Sequence, residues 1–583
     1  MLAIDIAVVV STFVTLAHSS PLHGLGPHAV FSKRHAPAAG WTHDAAPHAA
    51  SMLNMHIGLK QNSMNALQAK LLDISSPGSP NYGKWLSKEE MEQHTSPVGN
   101  ATSLVRKWLA SHQIAEDAIQ HPSADWISFN IPVSKAEELL QAKYSVFRNE
   151  AGHRAVGTME YSVPQRLHEL IDTIQPTTVL SGRRRTSKAE YVTHRKIPKR
   201  APGQPCPDDV TVDCIRSYYN VDYEGKGGQQ IAVTGFQGFS ASHADAAIFL
   251  QNNSSRGSGT NFKDVLIGSD AHPNNETSPT LEGNLDTQIA LSVGFPSAVT
   301  YLMVGPNNQA DPSKFFADEL TTLVQWLNTV DNPPAVVSTS YVEDEVDFED
   351  SYKDRLCNEF MKAGARGITV LFSSGDNGVS GTIKRDSCPD GFVPIFPASC
   401  PYVTAVGGTQ FIGEAETAAL FENGGATGGG FSRFFKAPSY QMNDTATYIS
   451  KLPPASNGTF NKEGRGVPDI SLASINWDTI VNGTIVRQFG TSASAPAWGS
   501  LISLINDYRQ TLGKGPVGFI NPALYGDPDV RAALRDVVGG RSRGCGGDGL
   551  PAAEGWDAAS GLGSMDFAAL RQAFGKLGSG GCA

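Results

Sequence analysis

The sequence predicts an α+β domain followed by a larger α/β domain built on a parallel sheet, and three observations lead to this fold class. Strand-like and helix-like stretches alternate between about residues 35 and 180. A basic stretch at 183–200 then interrupts the pattern. Beyond it, GITVLFSSGDNGVSG at 367–381 has the β-branched, apolar run of a buried parallel strand and ends in a glycine-rich turn. The chain has 583 residues, which is enough for about two to four domains.

The N-terminus carries an apolar segment, AIDIAVVVSTFVTLA, at residues 3–17. It is too short to cross a membrane and small residues follow it, so we interpret residues 1–19 as a secretory signal peptide. A buried first strand is the alternative interpretation. We therefore expect a secreted, extracellular glycoprotein without a membrane span. Asn-x-Ser/Thr triplets agree with export and occur at Asn100, Asn252, Asn253, Asn275, Asn443, Asn457 and Asn482.

The segment 183–200, RRRTSKAEYVTHRKIPKR, contains eight Lys or Arg residues and one Glu. Such a charge run predicts an extended, solvated linker, and its dibasic ends are sequences that secretory-pathway processing proteases cleave. A nucleic-acid-binding patch is the alternative, but secretion argues against it. Residues 1–200 hold 21 Lys/Arg and 16 Asp/Glu, whereas residues 201–583 hold 25 and 41. The basic N-terminal piece should therefore be attracted to the acidic C-terminal piece.

A serine in a tight turn marks a candidate nucleophile. FGTSASAP at 489–496 sets Ser492 between Gly490 and Pro496. Such a serine needs a neighbouring base, which is commonly histidine. Thirteen of the fifteen histidines precede residue 200, and neither His243 nor His272 lies in a His-Gly-Thr-His type of turn. The base of Ser492 is therefore expected not to be a histidine.

Two carboxylates can take that role in an acidic medium. Segment 278–295, SPTLEGNLDTQIALSVGF, begins with Ser/Thr cap candidates and continues as a helix in which Glu282 and Asp286 stand one turn apart. Two carboxylates this close resist double ionisation, so one of them keeps a proton above its ordinary pKa. Glu282 can then accept the serine proton while Asp286 orients and buffers it. On its own, such a pair is more typical of a solvated helix face.

A third acidic residue, Asp376, lies in the glycine-rich turn after the predicted strand, at the sheet edge where α/β proteins place functional groups. A protonated Asp376 can donate a hydrogen bond to an oxyanion, together with the backbone N–H of Ser492. By itself, an Asp in SGDNG is more typical of a turn residue.

These motifs, LEGNLD, SSGDNG and FGTSASAP, resemble in order and context those of the sedolisins, the serine-carboxyl peptidases. The resemblance extends over nearly the whole chain. It implies a subtilisin-like α/β catalytic domain at residues 201–583, with a parallel sheet flanked by helices, and activity at acidic pH. It assigns Glu282 as the base, Asp286 as its partner, Asp376 as the oxyanion donor and Ser492 as the acyl-forming nucleophile. A conventional subtilisin is excluded mainly by the missing histidine.

The resemblance also implies one structural calcium ion in the C-terminal region. LRDVVGG and AAEGWDAASGLG resemble the two ligand loops of the family. The side chains of Asp536 and Asp557 and the carbonyls of Val537, Ala553 and Gly555 are the implied ligands, and such hard oxygens suit Ca²⁺. Ala553 stands where relatives usually have Gly, which a carbonyl ligand tolerates. Without the resemblance, both motifs are ordinary loop sequences.

Residues 20–182 resemble the prosegment of the family, an α+β fold of ferredoxin-like type that folds with its enzyme and blocks the cleft. The protein is therefore expected to be a proenzyme whose own prosegment is an intramolecular inhibitor. Because most histidines lie here, we hypothesise that acidification charges them, weakens packing against the catalytic domain and triggers release. The alternative is that these histidines are simply exposed polar residues.

The stretch STSYVEDEVDFEDSYKDRLCNEFMKAGARG, at 338–367, resembles the tripeptidyl-peptidase branch of the family, including secreted fungal members. In that branch an acidic residue two positions after the SY tyrosine helps to hold the substrate α-amino group, which implies Glu343 here. Relatives usually have Asp at that position, and Gly where Val342 stands. We expect a monomeric tripeptidyl-peptidase that acts on peptides and proteins and binds neither nucleic acid nor membranes. The alternatives are an endopeptidase of the same fold and a catalytically silent, secreted binding protein, against which the presence of all four catalytic side chains counts. For Glu343, the alternative is a solvated acidic loop.

The seven cysteines form neither a C-x-x-C pair nor a zinc spacing, so an oxidising compartment allows three disulfides and one remaining thiol. One pair resembles a family bridge between the oxyanion loop and the calcium region. A second joins two cysteines close in sequence, and the third follows by elimination. In that order the expected pairs are Cys388–Cys545, Cys206–Cys214 and Cys357–Cys400, with Cys582 left over.

Overall fold

The structure is a computed structural model that describes most of the chain in separate stretches. The predicted signal peptide 1–19, most of the linker 183–200 and Cys582 lie outside the described residues and stay predictions. Within the described stretches, no helix combines the length and apolar character needed to cross a membrane. The described residues are 25–37, 40–149, 154–179, 188–191, 205–206, 209–236, 238–253, 256–268, 271–305, 316–454 and 459–578.

The N-terminal domain alternates short strands and helices, as the sequence predicts. Its helices are α1 Met64–Ser75, α2 Lys88–Thr95, α3 Ala101–Ser111 and α4 Val133–Leu140. Its strands are β1 His28–Lys33, β2 Trp41–Ala45, β3 Met52–Leu59, β4 Gln120–Ser123, β5 Trp126–Pro132, β6 Tyr144–Asn149, β7 Arg154–Thr158, β8 Glu160–Pro164 and β9 Ile171–Gln175.

Four of these strands form an antiparallel sheet in the order β4-β5-β3-β9. Helices α1 to α3 follow β3 and helix α4 follows β5, so the chain makes the βαββαβ connection of a ferredoxin-like fold. Strands β6, β7 and β8 are inserted before β9 and form small sheets with β1 and β2. The apolar core of this domain includes Trp108, Phe129 and Leu139. The predicted α+β fold is confirmed.

The C-terminal domain contains the larger set of elements. Its helices are α5 Val212–Tyr218, α6 His243–Asn253, α7 Leu281–Val293, α8 Phe316–Thr329, α9 Asp350–Ala365, α10 Met442–Lys451, α11 Thr491–Thr511, α12 Asn521–Gly526, α13 Pro528–Ala532 and α14 Phe567–Lys576. Its strands are β11 Gln230–Gly235, β12 Lys263–Ile267, β13 Ala298–Val304, β14 Val336–Thr339, β15 Glu343–Asp344, β16 Thr369–Ser373, β17 Ile395–Phe396, β18 Thr404–Ile412, β19 Ala415–Ala418, β20 Gly430–Lys436, β21 Gly464–Val467, β22 Ile470–Ala473, β23 Trp477–Val481, β24 Thr484–Phe489, β25 Leu534–Arg535, β26 Arg541–Gly544, β27 Gly547–Pro551 and β28 Ser564–Met565. The described part of the linker, β10 Lys188–Tyr191, pairs antiparallel with β24.

The central sheet is parallel in the order β12-β13-β11-β14-β16-β18, with β22 parallel and β19 antiparallel to β18. Successive side chains of β11 face opposite sides. Ile231 and Val233 belong to the core that contains α7 and α11, whereas Ala232 belongs to the core that contains α8 and α9. Helices therefore cover both faces of the sheet, which confirms the predicted α/β architecture.

Both predicted elements that carry acidic residues are present. The predicted strand is β16, and Asp376 lies in the turn at its carboxyl end. The predicted helix is α7, whose cap residue Thr280 accepts a hydrogen bond from the Gly283 N–H at 3.2 Å. Every residue of α7 after Leu281 is buried, because the helix packs against the sheet, against α11 beside it, and against α6 and β23. The alternative interpretation of a solvated helix face is therefore wrong.

Three disulfides connect the described cysteines. They are Cys206–Cys214, Cys357–Cys400 and Cys388–Cys545, which confirms all three expected pairs. The last of them ties the loop after Asp376 to the β26–β27 hairpin and so joins two regions 157 residues apart.

Candidate active site

Helix α11 presents Ser492 in its first turn. Gly490 precedes the helix with a φ of 139°, a backbone angle that favours glycine, and Ser492 is fully buried. Pro496 follows four residues later, and because proline has no N–H it cannot donate the usual helical hydrogen bond to the Ser492 carbonyl. A donor to that carbonyl must therefore come from outside the helical pattern.

Ser340, directly after β14, connects this turn to α7. Its hydroxyl lies 3.0 Å from Asp286 Oδ1 and 3.4 Å from the Ser492 carbonyl oxygen. One hydroxyl proton can be donated to either acceptor, and the shorter distance favours the carboxylate. Ser340 thus links the helix of the carboxylate pair to the turn of the candidate nucleophile.

Glu282 and Asp286 are buried side by side on α7, each with 1% of its surface exposed. Burial, and next the neighbouring charge of Glu282, raise the pKa of Asp286 well above its ordinary value, while the hydrogen bond from Ser340 opposes the rise. The charges of both carboxylates also reach the buried hydroxyls of Tyr301 and Tyr341, whose pKa values are raised mainly by burial. Burial and the neighbouring carboxylate thus both favour a proton on Asp286, and the catalytic roles assigned to the pair stay predictions.

Asp376 reaches the same turn from the end of β16. Its Oδ1 atom accepts hydrogen bonds from the Thr491 N–H at 2.8 Å and from the Thr491 hydroxyl at 2.9 Å. The Thr491 hydroxyl oxygen in turn accepts the N–H of Gly375 at 3.1 Å. A Cβ atom on Gly490 would lie 2.7 Å from Asp376 Oδ2, so only glycine allows the carboxyl group to come this close. The carboxyl group of Asp376 is therefore held directly against the turn that carries Ser492.

The two histidines of the C-terminal domain have other surroundings. His243 stacks on Phe262 and forms a short contact with the Glu276 carboxylate. His272 is exposed in the loop before α7. This placement agrees with the expectation that the base of Ser492 is not a histidine.

Glu343 lies on the short strand β15, three residues beyond Ser340, and is 2% exposed. Its charge and that of Asp318 contribute to the raised pKa of Tyr352, which is mainly due to burial. The two neighbouring acids have structural partners: Asp344 forms an ion pair with Arg385 at 2.6 Å, and Glu345 accepts the Ser432 hydroxyl at 2.5 Å. The interpretation of this stretch as a solvated acidic loop is therefore wrong.

The two predicted calcium loops lie against each other. Asp536 accepts the Gly555 N–H at 2.8 Å, and Asp557 accepts the Ala553 N–H at 3.0 Å. The Ser560 hydroxyl lies 3.1 Å from both the Val537 carbonyl oxygen and Asp557, whose pKa is raised by burial to about 7. Within the described residues no three His, Cys, Asp or Glu side chains converge on one point. The donors are two carboxylates and neighbouring carbonyls, and a cation would offset the burial of Asp557, so they fit a hard divalent ion.

Several residues of this region were not predicted from the sequence. Ser340 and Thr491 bridge the predicted acids and Ser492, and Asp318 and Glu319 bring two more buried carboxylates from α8. A signal for Ser340 was present, because it follows a buried strand at the same sheet edge as Asp376. The two adjacent acids of ADEL, beside an apolar stripe of Leu320, Leu323, Val324 and Leu327 at helical spacing, are a comparable signal for the α8 pair.

Both domains have counterparts among known proteins. A family model described as the activation domain of pro-kumamolisin matches residues 39–180. Pseudomonas sedolisin, a serine-carboxyl proteinase solved with two molecules of pseudo-iodotyrostatin, has a TM-score of 0.50 and 23% identity, covering 63% of this chain and 98% of that one. This likeness shows that the C-terminal domain has the sedolisin fold.

Similar curated proteins extend over nearly the whole chain. "Tripeptidyl-peptidase SED4" of Arthroderma otae is 32% identical over 592 residues, covering 96% of each chain. "Probable tripeptidyl-peptidase SED3" of Trichophyton verrucosum is 32% identical over 561 residues, covering 91% of this chain and 93% of the relative. The buried pair of Glu282 and Asp286, the nearby Asp376 and the turn of Ser492 thus occur in a chain whose relatives and whose fold indicate the same family. The chain belongs to the sedolisin family, the serine-carboxyl peptidases.

Proposed function

We propose that this chain is the proenzyme of a tripeptidyl-peptidase that removes tripeptides from the N-termini of peptides through an acyl-enzyme. One observation carries the proposal. The buried pair of Glu282 and Asp286 is connected through Ser340 to the turn of Ser492, while Asp376 contacts the same turn through Thr491. A candidate nucleophile, a pair of carboxylates that can act as its base, and a further carboxylic acid are thereby brought together at one edge of the sheet.

In acylation, the Ser492 hydroxyl attacks the scissile carbonyl and transfers its proton to Glu282. Asp286, which keeps its own proton, leaves Glu282 as the anionic member and stabilises the shared charge. Collapse of the tetrahedral intermediate breaks the C–N bond, and the leaving amine takes the proton from Glu282. A tripeptidyl ester of Ser492 remains. Water then attacks the ester with Glu282 again as base, which releases the tripeptide and restores the serine.

The developing oxyanion needs donors that are already oriented. Asp376 Oδ1 accepts two hydrogen bonds from Thr491, so the proton of a neutral Asp376 belongs on Oδ2, the oxygen next to Gly490. Together with the Ser492 N–H at the start of α11, this proton forms the oxyanion site that we propose. Both this role and the protonated Asp286 call for an acidic medium.

The position of Glu343 supports the release of tripeptides. Ser340 contacts the Ser492 carbonyl, and Glu343 lies three residues further along the chain. An extended tripeptidyl acyl group spans on the order of 10 Å, so the anion that holds its α-ammonium group has to lie within a few residues of the contact at Ser492. A substrate whose carbonyl meets Ser492 can therefore place its α-ammonium group near the Glu343 carboxylate.

We infer further that Asp536 and Asp557, with the carbonyls of Val537, Ala553 and Gly555, hold one calcium ion. When bound, it supplies a structural cross-link between two loops and compensates the buried charge of Asp557. We also propose that residues 1–19 direct secretion, that 20–182 form the inhibitory prosegment, and that cleavage within 183–200 releases the catalytic domain of 201–583 in an acidic environment.

The test is mass spectrometry of the products from one long peptide, with a free or an acetylated N-terminus, after incubation with acid-activated protein at pH 3 to 7. Successive tripeptides from the free peptide alone are expected. Internal cuts in both peptides would make the protein an endopeptidase of the same fold. A Ser492→Ala variant is the control for contaminating peptidases, and absence of any cleavage by the wild type would refute the proposal.

A further inference from the structure

The N-terminal domain inserts an aromatic side chain into the C-terminal domain far from Ser492. Trp85 lies between Gly367, two residues after the end of α9, and Gly518, beyond the end of α11. Cβ atoms on these two glycines would lie 2.6 Å and 2.3 Å from the indole ring. The slot is therefore wide enough for the ring only because both positions are glycine. Both glycines also have a positive φ, of 83° and 62°.

Hydrogen bonds fix the register of this insertion. The indole N–H of Trp85 donates to the Pro516 carbonyl at 2.9 Å, and the Leu86 N–H donates to the Ala365 carbonyl at 2.8 Å. The Gly518 wall is itself fixed, since its carbonyl accepts the hydroxyl of Thr369 on β16 at 2.5 Å. The slot therefore recognises the ring, its N–H group and the next backbone amide.

Two further contacts flank the slot. Tyr82 is 5% exposed, packs into the core of the C-terminal domain, and lies 5.8 Å from the Arg509 guanidinium. Leu67 and Leu71 of α1 pack on Met361 and Phe519. The bound sequence thus has the spacing Tyr-x-x-Trp-Leu, and the loop that presents it is fastened inside its own domain by Asp73, which accepts Ser79 and Asn81.

The slot is remote from the reaction centre. Ser492 lies in the first turn of α11, whereas Pro516 and Gly518 follow the last turn of that 21-residue helix. At 1.5 Å per residue the two ends are about 30 Å apart. A ligand of the slot therefore cannot touch the reacting atoms, and cutting the linker removes none of the contacts at Trp85.

We propose that the slot between Gly367 and Gly518 is an exosite that binds the prosegment through Trp85 and keeps it on the catalytic domain after the linker has been cut. The inference rests on the proposed function in one respect, namely that the N-terminal domain is a prosegment to be removed. Linker cleavage then yields a nicked complex, and full activity follows only when the Tyr-x-x-Trp-Leu segment leaves the slot. The mature enzyme carries the vacated slot as a binding site for that segment.

The experiment separates retention from catalysis. Full-length protein with Ser492→Ala is cut in the linker by an added protease specific for paired basic residues, and the complex is followed by size-exclusion chromatography and native mass spectrometry. The two pieces are expected to stay together. With Trp85→Ala in addition, binding should weaken about 30-fold or more, as for a central aromatic contact. Trp85→Phe keeps a ring and loses the N–H group, so its binding should be weaker than with Trp85 and stronger than with Trp85→Ala.

Lys84→Ala is the matched control, because Lys84 is exposed and bonds to Asn81 within its own loop. Separation of the two pieces at the same rate in the Trp85→Ala and Lys84→Ala proteins would overturn the proposal. If Trp85→Ala fails to fold, hydrogen exchange of the Ser492→Ala protein tests whether the slot stays occupied after the linker is cut. Protection of the Leu86 amide should persist after linker cleavage, and its loss at the moment of cleavage would overturn the proposal. Neither readout needs peptidase activity, so failure here is distinct from failure of the proposed function.

Discussion

Asp376 and Thr491 are 115 residues apart in sequence, yet one carboxylate oxygen of Asp376 accepts both the N–H and the hydroxyl of Thr491, at 2.8 and 2.9 Å. Thr491 directly precedes Ser492. The candidate oxyanion acid is thus fastened to the backbone of the candidate nucleophile. Its position relative to the serine depends on a residue that takes no part in bond making.

Replacing Thr491 with Val should lower kcat about 10-fold or more with little change in KM. The variant loses the hydroxyl bond to Asp376 and the acceptor for the Gly375 N–H, and a hydrogen bond between neutral groups contributes about 0.5–1.5 kcal/mol. Steady-state kinetics measure the effect on a substrate with a free N-terminus and a leaving amine after its third residue. Thr491→Ser keeps the hydroxyl and should retain most of the activity; equal kinetics for the two variants would contradict the positioning role.

Replacing Ser340 with Ala should move the alkaline limb of the activity profile to higher pH. The Ser340 hydrogen bond lowers the pKa of Asp286, so its loss raises that pKa further and keeps Asp286 protonated to a higher pH. The measurement is kcat/KM from pH 3 to 7. Ser340→Thr should restore the wild-type limb, and an unshifted limb in Ser340→Ala would show that the serine is only structural.

Replacing Asp286 with Asn should abolish most activity, by about 10²- to 10⁴-fold, and stabilise the protein at neutral pH. The folded-state pKa of Asp286 is raised, so its contribution to stability is complete below the unfolded value near 4 and is lost as the pH rises. Asn stays neutral throughout. The Tm of the variant should therefore exceed that of the wild type at pH 7 and match it at pH 3.

Asp344→Asn is the control for this stability measurement. Asp344 forms an ion pair with Arg385, and removing its charge should lower the Tm at pH 7. A higher Tm for Asp344→Asn as well would mean that the gain from Asp286→Asn does not report the buried pair.

Replacing His56 with Gln should make the prosegment more resistant to acid. His56 is buried on β3, between Asn54 and Ser128, and burial lowers its pKa from 6.5 to about 4. The unfolded state therefore binds more protons between these values, and stability falls as the pH drops through this window, by about 3 kcal/mol in total. Hydrogen exchange of β3 in the full-length Ser492→Ala protein, from pH 7 to 3, measures the change.

His121, which is exposed, provides the matched control through His121→Gln. Only the His56 substitution should move the acid midpoint downwards. The position of His56 also refines the histidine hypothesis: protonation here acts on the core of the prosegment itself, because its partners are Asn54 and Ser128 of the same domain. Identical midpoints in all three proteins would exclude His56 as an acid sensor.

Chelation of calcium should lower the Tm of the mature enzyme. A ligand that binds only the folded state at about 100 times its Kd contributes about 2.7 kcal/mol. Differential scanning calorimetry with calcium and with EDTA measures the difference, and Asp557→Asn should abolish it. Asp548→Asn, an exposed position paired with Arg541, should leave the calcium effect intact. A Tm that is the same in calcium and in EDTA would exclude the proposed site.

Much of the architecture could be predicted from local pattern. The acids of α7 stand one helical turn apart, Asp376 follows an apolar strand, and the serine turn contains the glycine and proline that shape it, so each motif is complete within a few residues. The uneven distribution of histidine separated this chain from a conventional subtilisin without any structure. Such features depend on covalent spacing and backbone geometry, which the sequence states directly.

The tertiary structure decided what depends on contacts between distant segments. Ser340 meets Asp286 across 54 residues, and Trp85 meets Pro516 across 431. The complete burial of α7 was also invisible in the sequence, because its polar residues face other elements and not water. The sequence by itself determined which chemical groups the protein carries and on which local elements. Only the folded sheet, which brings the carboxyl ends of separate strands to one edge, decided which of them act together.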